Sequence, residues 1–76
     1  MNLVDISQGV FAKVICIEGG YGCKQKIQNL GIREGKTIKK ITSMSSRGPV
    51  IVQVGSTQIA IGRGMASSVI VELIEG

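Results

Sequence analysis

The sequence contains no histidine, one proline, two aromatic residues and only five acidic residues. Without histidine, the chain lacks the usual general base of a serine or cysteine nucleophile and a common nitrogen ligand of metals. The acidic residues are scattered, with no obvious pair for acid–base catalysis; they are Asp5, Glu18, Glu34, Glu72 and Glu75. These absences predict a protein that acts by binding, with no catalytic residues and no cofactor.

Two glycine-rich segments fail to complete a nucleotide-binding motif. Gly62-Arg63-Gly64 begins like a dinucleotide fingerprint, but Ser67 stands where the third glycine belongs. Residues 19–22 lack the lysine and the hydroxyl residue of a P-loop. We therefore expect no enzymatic activity from this chain.

Cysteine is also scarce. Cys16 and Cys23 are too few for the disulfide framework of a small secreted domain, although a cytosolic cysteine pair can hold zinc or iron. Six residues separate the two, and no second pair completes four ligands. Free cysteine is among the most buried residue types, so both are predicted to fill the core and are only weak candidates for a metal site.

Long apolar runs are missing as well. No stretch approaches the roughly 20 residues of a membrane helix, and the N-terminus has neither the basic start nor the apolar run of a signal peptide. A chain of 76 residues is near the lower limit for a self-sufficient core. We therefore expect a single domain over residues 1–76, located in the cytoplasm.

What the chain does have is a basic middle third. The formal net charge is +4, and only Glu34 opposes the seven basic residues of this region, which are Lys24, Lys26, Arg33, Lys36, Lys39, Lys40 and Arg47. A basic field can attract nucleic acid, an anionic membrane surface or an acidic protein. The equally weighted alternative is that these residues only keep an apolar domain soluble.

The clearest structural pattern is a β-hairpin over residues 50–61. Two β-branched runs flank Gly55-Ser56, and glycine suits the first central position of a type II′ turn because it adopts positive φ without strain. This turn pairs Val54 with Thr57 and, at the far end, Val50 with Ile61. Alternation then gives the hairpin one apolar face, which consists of Val50, Val52, Val54, Ile59 and Ile61.

The other elements follow from shorter patterns. Alternate residues of the first strand from Val10 to Cys16 are apolar and predicted to point inward. The opposite side carries Lys13 but also Phe11, Ile15 and Ile17, and part of it is expected to be covered too. A bulge near Lys39-Lys40 is predicted to bring both Ile38 and Ile41 to the core side. The predicted bounds are 10–17, 36–43 and 69–74 for strands, 45–48 for a loop, 23–30 for a helix and 65–68 for a helical turn.

So small a sheet must curl to bury its apolar face. The predicted fold is therefore all-β (mainly β), a small SH3-like barrel of five antiparallel strands with a short helical insertion. At about two turns, the helix is too short to be stable alone, so it must dock on the sheet.

Several short motifs span nearly the whole chain. They are Gly9-x-x-Ala12-x-Val14, Leu30-Gly31-Ile32-x-x-Gly35, Gly48-Pro49-Val50, Ile59-Ala60-Ile61-Gly62-Arg63 with Ala66, and Val69-Ile70-Val71-Glu72. Their combination closely resembles the bacterial ferrous iron transport protein A family (FeoA). The resemblance implies an SH3-like barrel that works beside the membrane-bound, GTP-hydrolysing ferrous iron transporter FeoB, as activator, adaptor or regulator. It does not point to either cysteine as a motif position.

Two other functions stay open. A nucleic-acid-binding barrel is favoured by the basic middle third, but the chain has few aromatic rings on which bases could stack. A metal-sensing SH3-like module is disfavoured because the chain lacks histidine and clustered carboxylates. Because aromatic rings are so few, no nucleic-acid partner is expected.

The helical insertion and the turn after it are the predicted partner-binding surface, because insertions on a rigid scaffold often carry binding residues. Leu30 is expected to face the barrel. Ile27 either reaches outward as an anchor or belongs to the core, and the two alternatives are equally weighted. The candidate partner-binding residues are Lys24, Lys26, Ile27 and Arg33.

Overall fold

A computed structural model of the chain describes residues 1–42 and 48–74. Residues 43–47 and 75–76 lie outside the described residues. They include Ser43 at the predicted end of a strand and residues 45–47 of the predicted loop, with Arg47. The elements are β1 (Phe11–Ile17), α1 (Tyr21–Asn29), β2 (Thr37–Thr42), β3 (Val50–Val54), β4 (Thr57–Ile61), α2 (Arg63–Ala66) and β5 (Val69–Leu73). Neither helix in the described part of the chain has the length and hydropathy to cross a bilayer.

The five strands form one antiparallel sheet in the order β4-β3-β2-β1-β5. The hairpin has the predicted register at every pair from Val50↔Ile61 to Val54↔Thr57. Gly55 has a φ of 63°, and no described non-glycine residue has a positive φ, as a type II′ turn with glycine first requires. The prediction of a mainly β fold with five antiparallel strands is confirmed.

The core is aliphatic and includes the predicted apolar face of the hairpin. Val54 and Ile59 are only partly buried, at the margin of the core. The N-terminal segment adds two residues that the sequence pattern did not assign to the core, and the Leu3 N–H donates to the Val69 carbonyl at 3.2 Å. The fully packed residues are Leu3, Ile6, Ala12, Val14, Ile17, Ile27, Ile32, Ile38, Val50, Val52, Ile61, Ala66, Val69 and Val71.

β1 contains an irregularity that the sequence did not predict. The register against β5 shifts between Val14 and Cys16, so Ile17 is buried while Cys16 is only half-buried. Cys16 therefore does not continue the core face as predicted. Phe11 and Ile15 are 50% and 44% exposed. The expectation that part of this side is covered holds for Ile17, which lies beyond the register shift and is 6% exposed, while Phe11 and Ile15 stay exposed.

The predicted bulge of β2 exists, but it lies slightly later and has a different effect. The register against β3 shifts between Lys40 and Thr42. Strand alternation runs from the buried Ile38 to Lys40 before the shift, so the lysine takes the next inward position. Ile41 is half-buried. The prediction that both isoleucines join the core is therefore wrong for Ile41.

Candidate functional site

α1 ends in a glycine cap that determines which apolar residue reaches the core. Gly31 has a φ of 97°, and its N–H donates to the Gln28 carbonyl at 2.9 Å, while the Ile32 N–H donates to the Ile27 carbonyl at 3.3 Å. This pair of bonds is a Schellman motif, which reverses the chain and packs the residue after the glycine against the last helical turn. Ile27 and Ile32 are both 0% exposed.

Leu30 lies on the outside of this cap and is 40% exposed. The prediction that Leu30 faces the barrel is wrong, because Ile32 fills the core position beside Ile27 that helical spacing assigned to Leu30. Ile27 belongs to the core and does not reach outward. The signal for this arrangement is present in the sequence: an apolar residue directly after the capping Gly31.

The turn that follows is fixed against β1. The Lys36 N–H donates to the Arg33 carbonyl at 3.1 Å and closes the turn. The Gly35 N–H donates to the Val14 carbonyl, and the Val14 N–H donates to the Lys36 carbonyl, both at 2.8 Å. The exposed side chains of Arg33 and Lys36 therefore project from a backbone that the sheet holds in place.

A groove of about 430 Å³ lies between this turn and the tip of the β3–β4 hairpin. Leu30, Val54 and Ile59 provide its apolar surface, and Arg33 and Lys36 provide two positive charges. An apolar surface beside cations suits a partner that offers an apolar side chain and carboxylates. We call it the turn–hairpin groove; it is lined by Leu30, Gly31, Arg33, Lys36, Val54, Thr57 and Ile59.

Of the four predicted partner-binding residues, only Arg33 lines this groove. Lys26 is exposed and Lys24 is half-buried on α1, but neither lines it. Sequence reasoning missed Val54 and Ile59 because both belong to the apolar face of the hairpin, which predicts burial. Hairpin periodicity assigns a residue to a face of the sheet, but it carries no information about how far other segments cover that residue.

Lys40 does not contribute to a surface field, since its side chain is 2% exposed. Its Nζ donates to the Ile6 carbonyl at 2.7 Å and to the Val4 carbonyl at 3.0 Å. Burial lowers the pKa of Lys40 below its ordinary value, the charge of Arg63 acts in the same direction, and Asp5 opposes both. Lys40 therefore ties the N-terminal segment to the sheet.

Lys39 projects from the opposite face of β2, where its Nζ lies 5.4 Å from the centroid of the Phe11 ring. This cation–π contact covers one face of the only aromatic ring in the sheet. A shallow recess of about 320 Å³ runs beside the pair and is lined by Phe11, Thr37, Ile38, Lys39, Gln53 and Gly55. The described basic residues of the middle third are thus divided between α1, the groove, the interior and the outer sheet face.

Both cysteines are free and half-buried. Cys23 packs against the core, and its Sγ lies 3.9 Å from the Ser68 Oγ. Within residues 1–42 and 48–74, no three cysteine or acidic side chains come together where they could hold a metal ion. That neither Cys16 nor Cys23 is a metal ligand stays a prediction.

Known proteins are similar to this chain in sequence and in fold. The FeoA domain model matches residues 1–73. Fe(2+) transport protein A of Methanocaldococcus jannaschii is 39% identical over 56 residues, which is 74% of this chain and 66%, just under two thirds, of that protein. The crystal structure of an iron uptake regulatory protein (FeoA) superposes with a TM-score of 0.88 at 35% identity, covering 97% of this chain and 96% of that chain.

A more distant relative defines the fold type. FeoA of Stenotrophomonas maltophilia, solved in complex with zinc and described as a prokaryotic SH3 domain protein, has a TM-score of 0.81 at 22% identity. The superposition covers 95% of this chain and 89% of that one. The predicted SH3-like fold is therefore confirmed.

Proposed function

The chain belongs to the FeoA family, and we propose that it is a small cytoplasmic accessory protein that binds the cytoplasmic part of the ferrous iron transporter FeoB. The family is associated with ferrous iron transport. In this proposal the chain reaches the membrane only through its partner. Any GTP hydrolysis belongs to the transporter, and this chain contributes neither a catalytic residue nor a cofactor.

The observation that carries the proposal is the turn–hairpin groove. It combines a 40% exposed leucine with two half-buried apolar residues and two cations that the turn holds in place. Burying Leu30, Val54 and Ile59 under a partner removes apolar surface from water, which stabilises the complex. Arg33 and Lys36 favour an acidic partner surface and accelerate its approach.

The placement of the basic residues favours a protein partner over nucleic acid. Continuous phosphate binding uses several cations along one surface, but here Lys40 is inside and Lys39 lies on the outer sheet face. Base stacking along a strand would need several free aromatic faces. The chain has only two aromatic rings, the exposed Tyr21 and Phe11, and Lys39 covers one face of Phe11.

Substituting Leu30→Gln tests the proposal. We expect this variant to lose co-purification with the cytoplasmic part of FeoB and to fail to restore ferrous iron uptake in a host that lacks its own FeoA. Its melting temperature should stay within a few degrees of the wild type, because Leu30 is not part of the packed core.

Phe11→Gln is the matched control, because Phe11 is similarly exposed but lies on the outer sheet face. This variant should bind and restore uptake like the wild type. If Leu30→Gln binds FeoB normally, or if Phe11→Gln alone abolishes binding, the groove is not the working surface.

A further inference from the structure

Among the described residues, β4 is an edge strand that pairs only with β3. The two-residue turn makes Val54↔Thr57 a hydrogen-bonded pair. In an antiparallel ladder such pairs alternate with pairs that do not bond. The N–H and C=O groups of Gln58 and Ala60 therefore point away from β3, and no described residue hydrogen-bonds to them.

The other edge of the sheet is covered by the chain itself. Asn2 forms an antiparallel bridge with Ile70 of β5. The Val71 N–H donates to the Met1 carbonyl at 2.9 Å, and the Leu3 N–H donates to the Val69 carbonyl at 3.2 Å. The N-terminal segment thus supplies at β5 the kind of backbone pairing that β4 lacks.

β4 also lacks the features with which proteins usually protect an open edge. Such edges commonly carry a lysine, a proline or a bulge. β4 has the sequence TQIAI, and its register against β3 is continuous. Gln58 and Ala60 are both exposed. Within the part of the chain that the structure describes, the outward backbone groups of Gln58 and Ala60 are therefore accessible to a second strand.

We propose that β4 accepts an extended acidic segment of the transporter's cytoplasmic part as an added strand, whose side chains on the core-side face enter the turn–hairpin groove. The proposal rests on the proposed function and specifies how the partner is recognised. Thr57 and Ile59 lie on that face of β4 and line the groove, so an added strand would place every second side chain beside them.

The charges near this edge determine which kind of added strand is favoured. Arg33 and Lys36 at the groove favour a strand that carries carboxylates next to its apolar side chain. A second copy of this chain, with a formal charge of +4, would bring like charges to the same place. An acidic partner segment is therefore the occupant that the charges support.

Ala60→Pro tests strand addition directly. The substitution removes the outward N–H of Ala60, and proline is tolerated on an edge strand where that group faces solvent. Ala60→Ser is the matched control, because it changes the same side chain and keeps the N–H. With the cytoplasmic part of FeoB as the probe, we expect Ala60→Pro to weaken binding about tenfold, since an acceptor of the partner loses its donor. Ala60→Ser should bind like the wild type.

Amide hydrogen exchange of the wild-type protein provides a second readout that does not depend on the folding of a variant. Exchange at Gln58 and Ala60 should slow on addition of the FeoB part. If exchange at both amides is unchanged and Leu30→Gln still loses binding, strand addition is wrong. The proposed function is then still supported, because binding depends on the groove. Slowing that depends on the concentration of this protein alone would assign the edge to a second copy. If the wild type does not bind the FeoB part at all, both proposals fail.

Discussion

Lys40 shows how a single residue can override a strand pattern. Its position in β2 is an inward one, and an apolar residue would be expected there. The lysine is accommodated because its ammonium group donates to two carbonyls of the N-terminal segment, Val4 and Ile6. A buried charge is tolerated when hydrogen bonds replace its hydration. In return, the segment that carries Leu3 and Ile6 is fixed onto the core.

Lys40→Met should therefore lower the free energy of unfolding at pH 7 by about 1–3 kcal/mol, because the buried Ile6 carbonyl and the part-buried Val4 carbonyl lose a charged donor. The pH dependence should change as well. Since the pKa of Lys40 in the folded protein lies below the ordinary 10.5, the unfolded state binds more protons between the two values, and stability rises with pH across that interval. The variant loses this contribution.

Urea unfolding of the wild type and of Lys40→Met at pH 7 and pH 10 measures both effects. The free energy of unfolding of Lys40→Met should lie further below that of the wild type at pH 10 than at pH 7, because only the wild type gains stability from Lys40 as the pH rises. Identical deficits at the two pH values would show that the pKa of Lys40 is not lowered in the folded state.

Ile27 and Leu30 are close in sequence but have different roles, and equivalent substitutions separate them. Ile27→Gln buries an amide in the core and should cost about 1–3 kcal/mol of stability, because Ile27 is fully buried. Leu30→Gln should change stability by less than about 0.5 kcal/mol. Chemical unfolding of both variants measures the difference. Equal destabilisation by the two substitutions would contradict the assignment of Leu30 to the surface.

At the scale of elements, the hairpin is the part that sequence predicts best. Its two strands alternate cleanly, and Gly55-Ser56 fixes the register, so every pair is found where the pattern places it. Irregular elements were predicted less well. The bulge of β1 leaves no trace in the alternation of its apolar residues. The spacing of Ile38 and Ile41 indicates the bulge of β2 but not its position, so the sequence does not show which of these residues faces inward.

Gly55→Val tests the turn that sets this register. Valine resists the φ of 63° that Gly55 adopts, so the substitution should destabilise the protein by about 1–2 kcal/mol. Space is not the limitation, because a Cβ at this position would meet nothing within 4 Å. Thermal unfolding measures the loss, with Ser56→Ala as a control that leaves the glycine in place. A Gly55→Val protein as stable as this control would exclude the type II′ turn.

For the whole molecule, sequence motifs were enough to identify the family and the SH3-like fold, because the motifs extend along almost the entire chain. The turn–hairpin groove could be predicted only in part, and its role in binding stays a proposal. Arg33, in the turn after α1, is the one predicted partner-binding residue that lines it. The other wall comes from Val54 and Ile59, which lie more than twenty residues later. A site formed by two distant segments depends on their packing, which neither segment encodes alone.

The most direct test of the central claim is an NMR titration of the isotopically labelled protein with the cytoplasmic part of FeoB. If the turn–hairpin groove is the working surface, the largest changes in amide chemical shift will fall on Leu30, Arg33, Val54 and Ile59. The amides of Phe11 and Ile15, on the outer face of β1, will change little. Changes that centre on Phe11 and Ile15 while the groove residues stay unperturbed would contradict the claim.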